Sequence, residues 1–239
     1  MLELGSERLI GNDPMPSIAV CGKPLVATAS GALWWAGQST LIVADLHFEK
    51  GSAHAARGRY LPPYDTRETL QRLTMDIERF DPERVVALGD SLHDIGAADR
   101  MHEGDRAALS VLQEARDWIW IVGNHDPMIG AELGGRVLDH IEIGGLLLRH
   151  QPLAGPVTHE IAGHFHPAAR LSVYGATLRR PCFVGNNRRL VMPAFGAFTG
   201  GLNVLDSAFQ PLFGDDGMRV WMLGQEGAYP VATRHLIGD

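Results

Sequence analysis

The chain has 239 residues, of which 45% are hydrophobic and 21% are charged, a composition typical of globular proteins and not of disordered ones. Its 28 acidic and 21 basic side chains give a net charge of −7. This balance argues against tight, sequence-independent binding to nucleic acid, which depends on many Lys or Arg contacts to phosphate. At this length we expect a single domain over residues 1–239.

Cysteine content and apolar segments indicate the compartment. Cys21 and Cys182 stand far apart and cannot form a disulfide framework, so we expect a reducing environment. Residues 24–44 carry no charge, but their Gly, Pro, Ser and Thr content favours two short strands and a turn over a membrane helix. The first residues show no signal-peptide pattern. We therefore predict a cytoplasmic protein without membrane association.

Short apolar runs, each followed by polar residues, predict the strands. These runs are TLIVA (40–44), RVVALG (84–89), WIWIVG (118–123), GLLLRH (145–150) and EIAG (160–163). Helical patterns lie between the first three runs, which indicates an α/β layered sheet.

Two segments show a helical pattern. In the first, Asp65 or Thr66 is expected to cap a helix whose apolar face is formed by Leu70, Leu73, Ile77 and Phe80. The second covers residues 103–115, with a predicted buried stripe of Ala107, Ala108, Val111 and Leu112.

After about residue 133 the helical pattern fades, and Gly, Pro and Asn become frequent. We predict a second, more antiparallel sheet there. The glycines of PAFGAFTGG (193–201) predict a close backbone approach near a functional site.

The polar clusters that end the apolar runs are the candidates for chemistry. They are Asp45-Leu46-His47, Gly89-Asp90, Gly123-Asn124-His125-Asp126, His150 and Gly163-His164-Phe165-His166. Ligands of α/β sheets bind beyond the carboxyl ends of the strands, where all these clusters are expected. Oxygen and imidazole donors suit Mn, Fe, Zn or Ni more than Ca or Mg. Seven candidate ligands are too many for one tetrahedral metal and fit two metals that share a carboxylate.

The ordered set D-x-H, G-D, G-N-H-D, a lone His and G-H-x-H resembles the signature of the calcineurin-like metallophosphoesterase superfamily. The resemblance implies a sandwich of two mixed β-sheets flanked by helices. It also implies that Asp45, His47 and His166 hold one metal, that Asn124, His150 and His164 hold the second, and that Asp90 bridges the two.

A further resemblance spans residues 41–206, the motif core, and is to the ligase-associated DNA damage response endonuclease (PdeM) family. The phrases that carry it include HFEKGSA (47–53), RGRYLPPYDT (57–66), GDSLHD (89–94), EIAGHFHPAARL (160–171), RRPCFV (179–184) and PAFGAFTGGLNV (193–204). It implies a metal-dependent endonuclease of DNA repair, with a DNA ligase, a helicase and an exonuclease as partners.

The residues also predict a mechanism. Two divalent cations with Asp45 and Asp90 would leave a local charge of about +2 that attracts phosphate. A metal-activated hydroxide would attack phosphorus in line with the leaving oxygen. We expect Mn²⁺, with Fe, Zn or Ni as alternatives. His125 is the candidate to protonate the leaving group, and Asp126 is expected to orient its imidazole.

Other residues keep two interpretations. His93 and Asp94 either contact substrate or the metal ligands or satisfy a turn, and Arg57 and Arg59 either clamp phosphate or belong to a solvated loop. A basic cluster either tracks a nucleic-acid backbone or protects a strand edge, and it consists of Arg179, Arg180, Arg188 and Arg189.

Two alternative functions compete with a DNA phosphodiesterase. A small-molecule phosphoesterase, such as a nucleotidase or a dinucleotide hydrolase, agrees better with the acidic net charge. A non-catalytic metal-binding scaffold for repair proteins would usually have lost a ligand, and none is missing here. The sequence leaves endonuclease or exonuclease action, DNA or RNA, and the oligomeric state open.

Overall fold

The computed structural model describes residues 17–59, 62, 64–127, 129, 131–155, 157, 159–173, 175–213 and 217–239. Two mixed β-sheets face each other and are flanked by helices, so the predicted α/β sandwich is confirmed. Each of the five apolar runs forms a strand.

The first sheet has seven strands in chain order. They are β1 (Ser17–Val20), β2 (Lys23–Ala27), β3 (Leu33–Trp35), β4 (Thr40–Val43), β5 (Arg84–Leu88), β6 (Asp117–Ile121) and β7 (Arg136–Leu138). Strands β1 to β4 are antiparallel, and β4 to β7 are parallel. The uncharged segment 24–44 thus contributes to three strands, where two were predicted.

The second sheet is larger and mostly antiparallel, as predicted. Its strands are β8 (His140–Ile143), β9 (Leu146–Arg149), β10 (Glu160–Ala162), β11 (Pro167–Val173), β12 (Ala176–Gly185), β13 (Arg189–Val191), β14 (Leu202–Asn203), β15 (Arg219–Leu223) and β16 (Ala228–Val231). At its centre, however, β9, β10 and β13 run parallel.

Within the described part of the chain, five helices accompany the sheets. They are α1 (Lys50–Ala56), α2 (Asp65–Phe80), α3 (Ala97–Arg100), α4 (Glu103–Gln113) and α5 (Gln210–Phe213), beside short 3-10 turns. The predicted face of α2 is buried through Leu70, Leu73 and Ile77, and Phe80 stacks on Trp34.

Two predictions about the helices are wrong. Neither Asp65 nor Thr66 caps α2, because helix α2 begins at Asp65 and its carboxylate accepts a hydrogen bond from the amide of Gly51 instead. Of the stripe predicted for helix α4, only Leu112 is buried; Ala107, Ala108 and Val111 are exposed, and Leu109 is the second buried residue. The two leucines offer more apolar surface than the alanines, and they decide which face packs.

Strand alternation explains the layers, because successive side chains point to opposite faces. In β6, Trp118 and Trp120 pack toward the helices, while Ile119 and Ile121 pack toward the second sheet. The central strands β4, β5 and β6 are therefore buried on both faces, as is usual for parallel strands. Among the described residues, every helix is too short or too polar to cross a bilayer.

Candidate metal centre

All seven predicted metal ligands meet at one edge of the sandwich. Loops after β4, β5 and β6 bring them from the first sheet, and loops after β9 and β10 bring them from the second. The first sheet supplies Asp45, His47, Asp90 and Asn124, and the second supplies His150, His164 and His166. The carboxyl ends of the parallel strands in both sheets thus form the site, as expected for α/β folds.

The backbone of these loops is strained. Five of the seven ligand candidates have a left-handed backbone, with φ of 53° at Asp45, 46° at His47, 46° at Asp90, 73° at His164 and 45° at His166. Residues with a side chain rarely adopt this conformation, and such strain clusters at functional sites. The strain turns several side chains from one short loop toward a common point.

Glycines make the close approach possible. A Cβ atom at Gly163 would lie 2.5 Å from Asp45 Oδ2, and one at Gly89 would lie 2.5 Å from the ring of His150. In the loop 193–201, a Cβ at Gly196 would lie 2.2 Å from the Leu46 carbonyl, and one at Gly201 would lie 2.3 Å from the His166 carbonyl. The predicted close approach of this loop to the site is confirmed.

Asp45, His47, Asp90 and His166 form the first group, whose donor atoms all lie within 4.8 Å of one another. His166 Nε2 lies 3.2 Å from Asp45 Oδ1 and 3.2 Å from His47 Nε2. The Nδ1 atom of His47 is buried without a hydrogen-bond partner among the described residues. Two imidazole nitrogens that face each other beside a buried carboxylate form a pocket suited to a cation.

Burial, together with the charge of the neighbouring His166, lowers the pKa of His47 to about 2. Burial also lowers the pKa of His164, and His150 adds to this effect. For His166, burial acts in the same direction, but the Asp45 carboxylate outweighs it and raises the pKa. The shifts at His47 and His164 favour the neutral imidazole, which is the form in which histidine binds metals.

Asp90, His150 and His164 form the second group. The Nδ1 atom of His150 lies 2.8 Å from the Leu88 carbonyl, so this nitrogen donates and Nε2 presents a lone pair. That lone pair faces Asn124 Oδ1 at 2.9 Å and Asp90 Oδ2 at 3.5 Å.

These contacts test whether the residues fit a metal. Three acceptor atoms from His150, Asn124 and Asp90 converge, and buried acceptors need a partner that supplies positive charge or hydrogen. A divalent cation satisfies all three at once. Nitrogen and oxygen donors together suit a transition metal such as manganese, iron or zinc. Buried Asp and His groups in this site could thus hold divalent metals.

His125 stands at the mouth of the site. Its side chain is 45% exposed, and its Nε2 lies 4.0 Å from Asp90 Oδ2. Its Nδ1 lies 3.0 Å from the carbonyl oxygen of His93, and its amide donates to Asp90 Oδ1 at 2.8 Å. The contact of Nδ1 with the His93 carbonyl therefore fixes the His125 ring, and Nε2 is the nitrogen available to a substrate.

The hypothesis that Asp126 orients His125 is wrong. The buried carboxylate of Asp126 instead accepts hydrogen bonds from four backbone amides, which belong to Asp90, Ser91, Leu92 and Gly123. Burial raises the pKa of Asp126 to about 6, and the charge of Asp90 adds to this shift. Asp126 connects the loops after β5 and β6, and the carbonyl of His93 orients the imidazole.

The remaining site candidates lie around His125, with the exception of Arg59. His93 stacks on His125, with ring centroids 5.6 Å apart, and burial lowers its pKa to about 4, together with the charge of Lys50. Asp94 forms an ion pair with Arg100 at 2.7 Å. A cavity of about 530 Å³ beside His125 is lined by Arg57, His93, Asp94 and Arg100, whereas Arg59 is not among its described lining residues.

The predicted basic cluster is divided in the structure. Arg189 is buried and pairs with Glu160 at 2.6 Å, so it is a structural residue. Arg179 pairs with Asp239 at 3.3 Å and donates to the Gly201 carbonyl. Arg180 is exposed and lies on the wall of two cavities next to the site.

Sequence reasoning did not identify Lys50 as a site residue. It opens α1, and its charge lowers the pKa of His47 and His93. Burial lowers the pKa of Lys50 itself, although Asp65 opposes this. The available signal was its position three residues after His47, in a chain with only two lysines.

Comparisons with known proteins give an informative likeness. No family model and no curated protein sequence matches the chain. The crystal structure of Pseudomonas putida nuclease MPE is similar, with a TM-score of 0.70 and 28% identity, covering 91% of this chain and 100% of that chain. A protein of unknown function from Aquifex aeolicus has a TM-score of 0.39 and 19% identity, covering 53% of this chain and 78% of that chain, too little to support an inference.

Fold and site together define a class of protein. The two mixed sheets with outer helices are consistent with a metallophosphoesterase-type sandwich. The likeness to a nuclease and the buried Asp and His groups support a metal-dependent nuclease or phosphoesterase, that is, a metal-dependent hydrolase.

Proposed function

We propose that the protein is a two-metal phosphodiesterase that hydrolyses DNA, with Asp90 as the residue shared by both metals. The observation that carries this proposal is that Asp90 belongs to both groups of candidate ligands. Asp45, His47 and His166 would complete the first site, and Asn124, His150 and His164 the second. When bound, two divalent cations supply positive charge for the phosphate and make a water acidic enough to act as a nucleophile near neutral pH.

The protein's own residues prepare the site for an anionic substrate. Lys50 adds positive charge beside His47 and His93, and Arg57 and Arg100 line the neighbouring cavity. This local charge favours phosphate despite the net charge of −7.

His125 would protonate the leaving oxygen. Its Nδ1 is held by the His93 carbonyl, so a proton on Nε2 is directed out of the site toward the substrate. The ring stacks on His93, which fixes its plane while its edge stays exposed. A group of this kind contributes about 10²- to 10⁴-fold when the leaving group is a poor one.

DNA as substrate and a role in repair are the finer part of the proposal. They are supported by the likeness to a nuclease and by the resemblance of residues 41–206 to the ligase-associated endonucleases. We propose Mn²⁺ as the metal, a cytoplasmic location, and a DNA ligase, a helicase and an exonuclease as partners on the same resemblance.

The net charge of −7 favours a second candidate, a phosphoesterase for nucleotides or dinucleotides. Salt dependence separates the two functions. Binding of a DNA strand that contacts several phosphates weakens steeply as salt rises, whereas binding of one small phosphate ester changes little.

The first experiment measures hydrolysis of bis-nitrophenyl phosphate with and without Mn²⁺, Zn²⁺, Fe²⁺ or Ni²⁺. We expect metal-dependent turnover that Asp90→Ala abolishes. The matched control is Asp139→Ala, which removes an exposed carboxylate between β7 and β8 and leaves turnover unchanged. Wild-type protein that binds metal by calorimetry without any turnover would contradict the proposal and favour the scaffold function.

A further inference from the structure

Two neighbouring cavities lie beside the metal centre. A cleft of about 120 Å³ is lined by His166, and a second cavity has a volume of about 520 Å³. The two share four lining residues, Arg180, Pro181, Ala194 and Thr199. The larger cavity therefore adjoins the cleft at the metal-ligand candidate His166.

The loop 193–201 forms one wall of this cavity and is firmly held. Its backbone amides donate to the main chain beside the metal ligands and to α2, in the hydrogen bonds Phe195 to Ala44 (2.8 Å), Gly196 to Asp45 (3.2 Å) and Ala197 to the Thr69 hydroxyl (2.9 Å). At the other end, Leu202 donates to the His166 carbonyl at 3.0 Å. The wall is thus fixed relative to the metal centre.

Phe198 sits at the exposed turn of this loop. Its side chain is 47% exposed, although most large apolar side chains of the protein are buried. Its φ of 57° is a conformation that bulky residues rarely adopt. Anchored neighbours hold the phenyl ring in this position, where it lines the cavity.

The cavity also contains positive charge. Arg180 is exposed, and its guanidinium has no hydrogen bond or ion pair with the described residues. Arg72, on α2, lines the same cavity and pairs with Glu68. Arg179, one residue before Arg180, is by contrast already paired. The unpaired guanidinium of Arg180 and the exposed phenyl ring of Phe198 therefore line the same cavity, next to the proposed phosphate site.

We propose that this cavity binds a nucleotide that flanks the scissile phosphate of a polynucleotide strand, with its base against Phe198 and its phosphate at Arg180. The inference rests on the proposed function. An aromatic ring and a guanidinium are the two groups that bind unpaired nucleotides without regard to sequence. The apolar part of the wall, which includes Met75 and Leu223, suits a base better than a second phosphate.

One experiment compares two substrates. We measure kcat/KM for a short oligothymidylate and for bis-nitrophenyl phosphate, which has no flanking nucleotide. Phe198→Ala and Arg180→Gln should each lower kcat/KM for the oligothymidylate, divided by kcat/KM for bis-nitrophenyl phosphate, by about tenfold. This is the effect of losing one base stack or one phosphate contact. Phe198→Trp should keep the ratio, because the ring is retained. The controls Leu205→Ala and Arg219→Gln remove a comparably exposed apolar side chain and an exposed arginine, both outside the cavity.

A second measurement needs no bound metal. Fluorescence anisotropy of labelled oligothymidylate in EDTA should show weaker binding by Phe198→Ala and Arg180→Gln. Arg180→Gln should also reduce the slope of log affinity against log salt by about 0.7, the value for one phosphate of a single strand. If both variants bind as the controls do and keep the wild-type ratio, the inference is wrong.

The two proposals fail in different ways. A wild-type protein inactive on both substrates would contradict the proposed function, and the anisotropy measurement would still decide whether the cavity binds a strand. A wild-type protein active on both substrates, with the ratio unchanged in the variants, would overturn only the nucleotide cavity. Thermal unfolding of each variant checks that the fold is intact.

Discussion

Polar and charged side chains gather at both ends of the parallel strands, and they are arranged in opposite ways. At the amino ends, opposite charges pair: Asp117 lies 2.9 Å from Arg84 and 2.8 Å from Arg136, and Glu160 lies 2.6 Å from Arg189. At the carboxyl ends, imidazoles also face each other: His47 and His166 lie 3.2 Å apart, and both crowd around the buried carboxylate of Asp45.

The ion pairs at the amino ends stabilise the fold, whereas the groups at the carboxyl ends are arranged to bind a ligand. An ion pair at an amino end satisfies both partners within the chain. The acceptors at the carboxyl ends satisfy one another poorly, and only an external cation or substrate completes them. Substitutions at the two ends should accordingly affect different properties, stability at one end and metal-dependent activity at the other.

The largest effect is expected at His125, at the carboxyl end. His125→Ala should lower kcat about 10²- to 10⁴-fold on a phosphodiester with a poor alkyl leaving group, because that oxygen must be protonated as it leaves. The loss on bis-nitrophenyl phosphate should be much smaller, since nitrophenolate leaves without a proton. Equal losses on the two esters would rule out His125 as the acid.

Arg189, at an amino end, should affect stability. Arg189→Leu leaves the carboxylate of Glu160 buried without its partner and should lower the free energy of unfolding by about 3–5 kcal/mol, measured by urea denaturation. Arg219→Gln, at an exposed arginine of β15, serves as the control and should change it by less than about 0.5 kcal/mol. Mn²⁺ affinity of folded Arg189→Leu should stay at the wild-type level, and a large loss of affinity would contradict the division between the two ends.

Gly163 should affect metal affinity. A Cβ atom there would lie 2.5 Å from Asp45 Oδ2 and push the carboxylate from its position. Gly163→Ala should weaken Mn²⁺ binding about 10- to 100-fold in calorimetric titrations, as displaced supports of metal ligands do. At Gly200 the same added atom meets nothing within 4 Å, so Gly200→Ala should bind Mn²⁺ normally. Equal Mn²⁺ affinities of Gly163→Ala and Gly200→Ala would refute the explanation that Gly163 leaves room for the Asp45 carboxylate.

Substitution of Asp117 should have the smallest effect, a loss of stability that depends on pH. Burial opposes its ionisation, but hydrogen bonds from Arg84 and Arg136 outweigh burial and lower its pKa below 3.8. A lowered pKa in the folded state stabilises the protein above the unfolded value, and this contribution disappears as pH falls through the folded value. Asp117→Asn should therefore cost about 1 kcal/mol or less at neutral pH and nothing in strong acid. Urea denaturation measures the difference in the free energy of unfolding between wild type and Asp117→Asn. If this difference stays constant from neutral to acid pH, it does not arise from the ion pairs of Asp117.

The strands and the positions of the ligands could be predicted because they depend on local pattern. Apolar runs of four to six residues mark strands buried on both faces, and polar residues directly after them must lie at the sheet edge. The predicted face of α2 is correct for the same reason, since Leu70, Leu73 and Ile77 are large and regularly spaced.

The errors concern partners that are distant in sequence. The burial of Arg189 depends on Glu160, 29 residues earlier, and nothing beside Arg189 in the sequence indicates that carboxylate. Asp126 follows His125 directly, yet its carboxylate turns toward amides of the preceding strand's loop. Packing of this kind follows from the assembled sheet and cannot be deduced from neighbouring residues.

The carboxylate of Asp126 has one more consequence. It accepts hydrogen bonds from four amides of two separate loops. These bonds link the segment that contains Asp90 to the segment that contains Asn124. The arrangement of the candidate ligands is thereby set by the fold of the chain itself. A cation that bound there would meet preformed loops, so little of its binding free energy would be lost to ordering them.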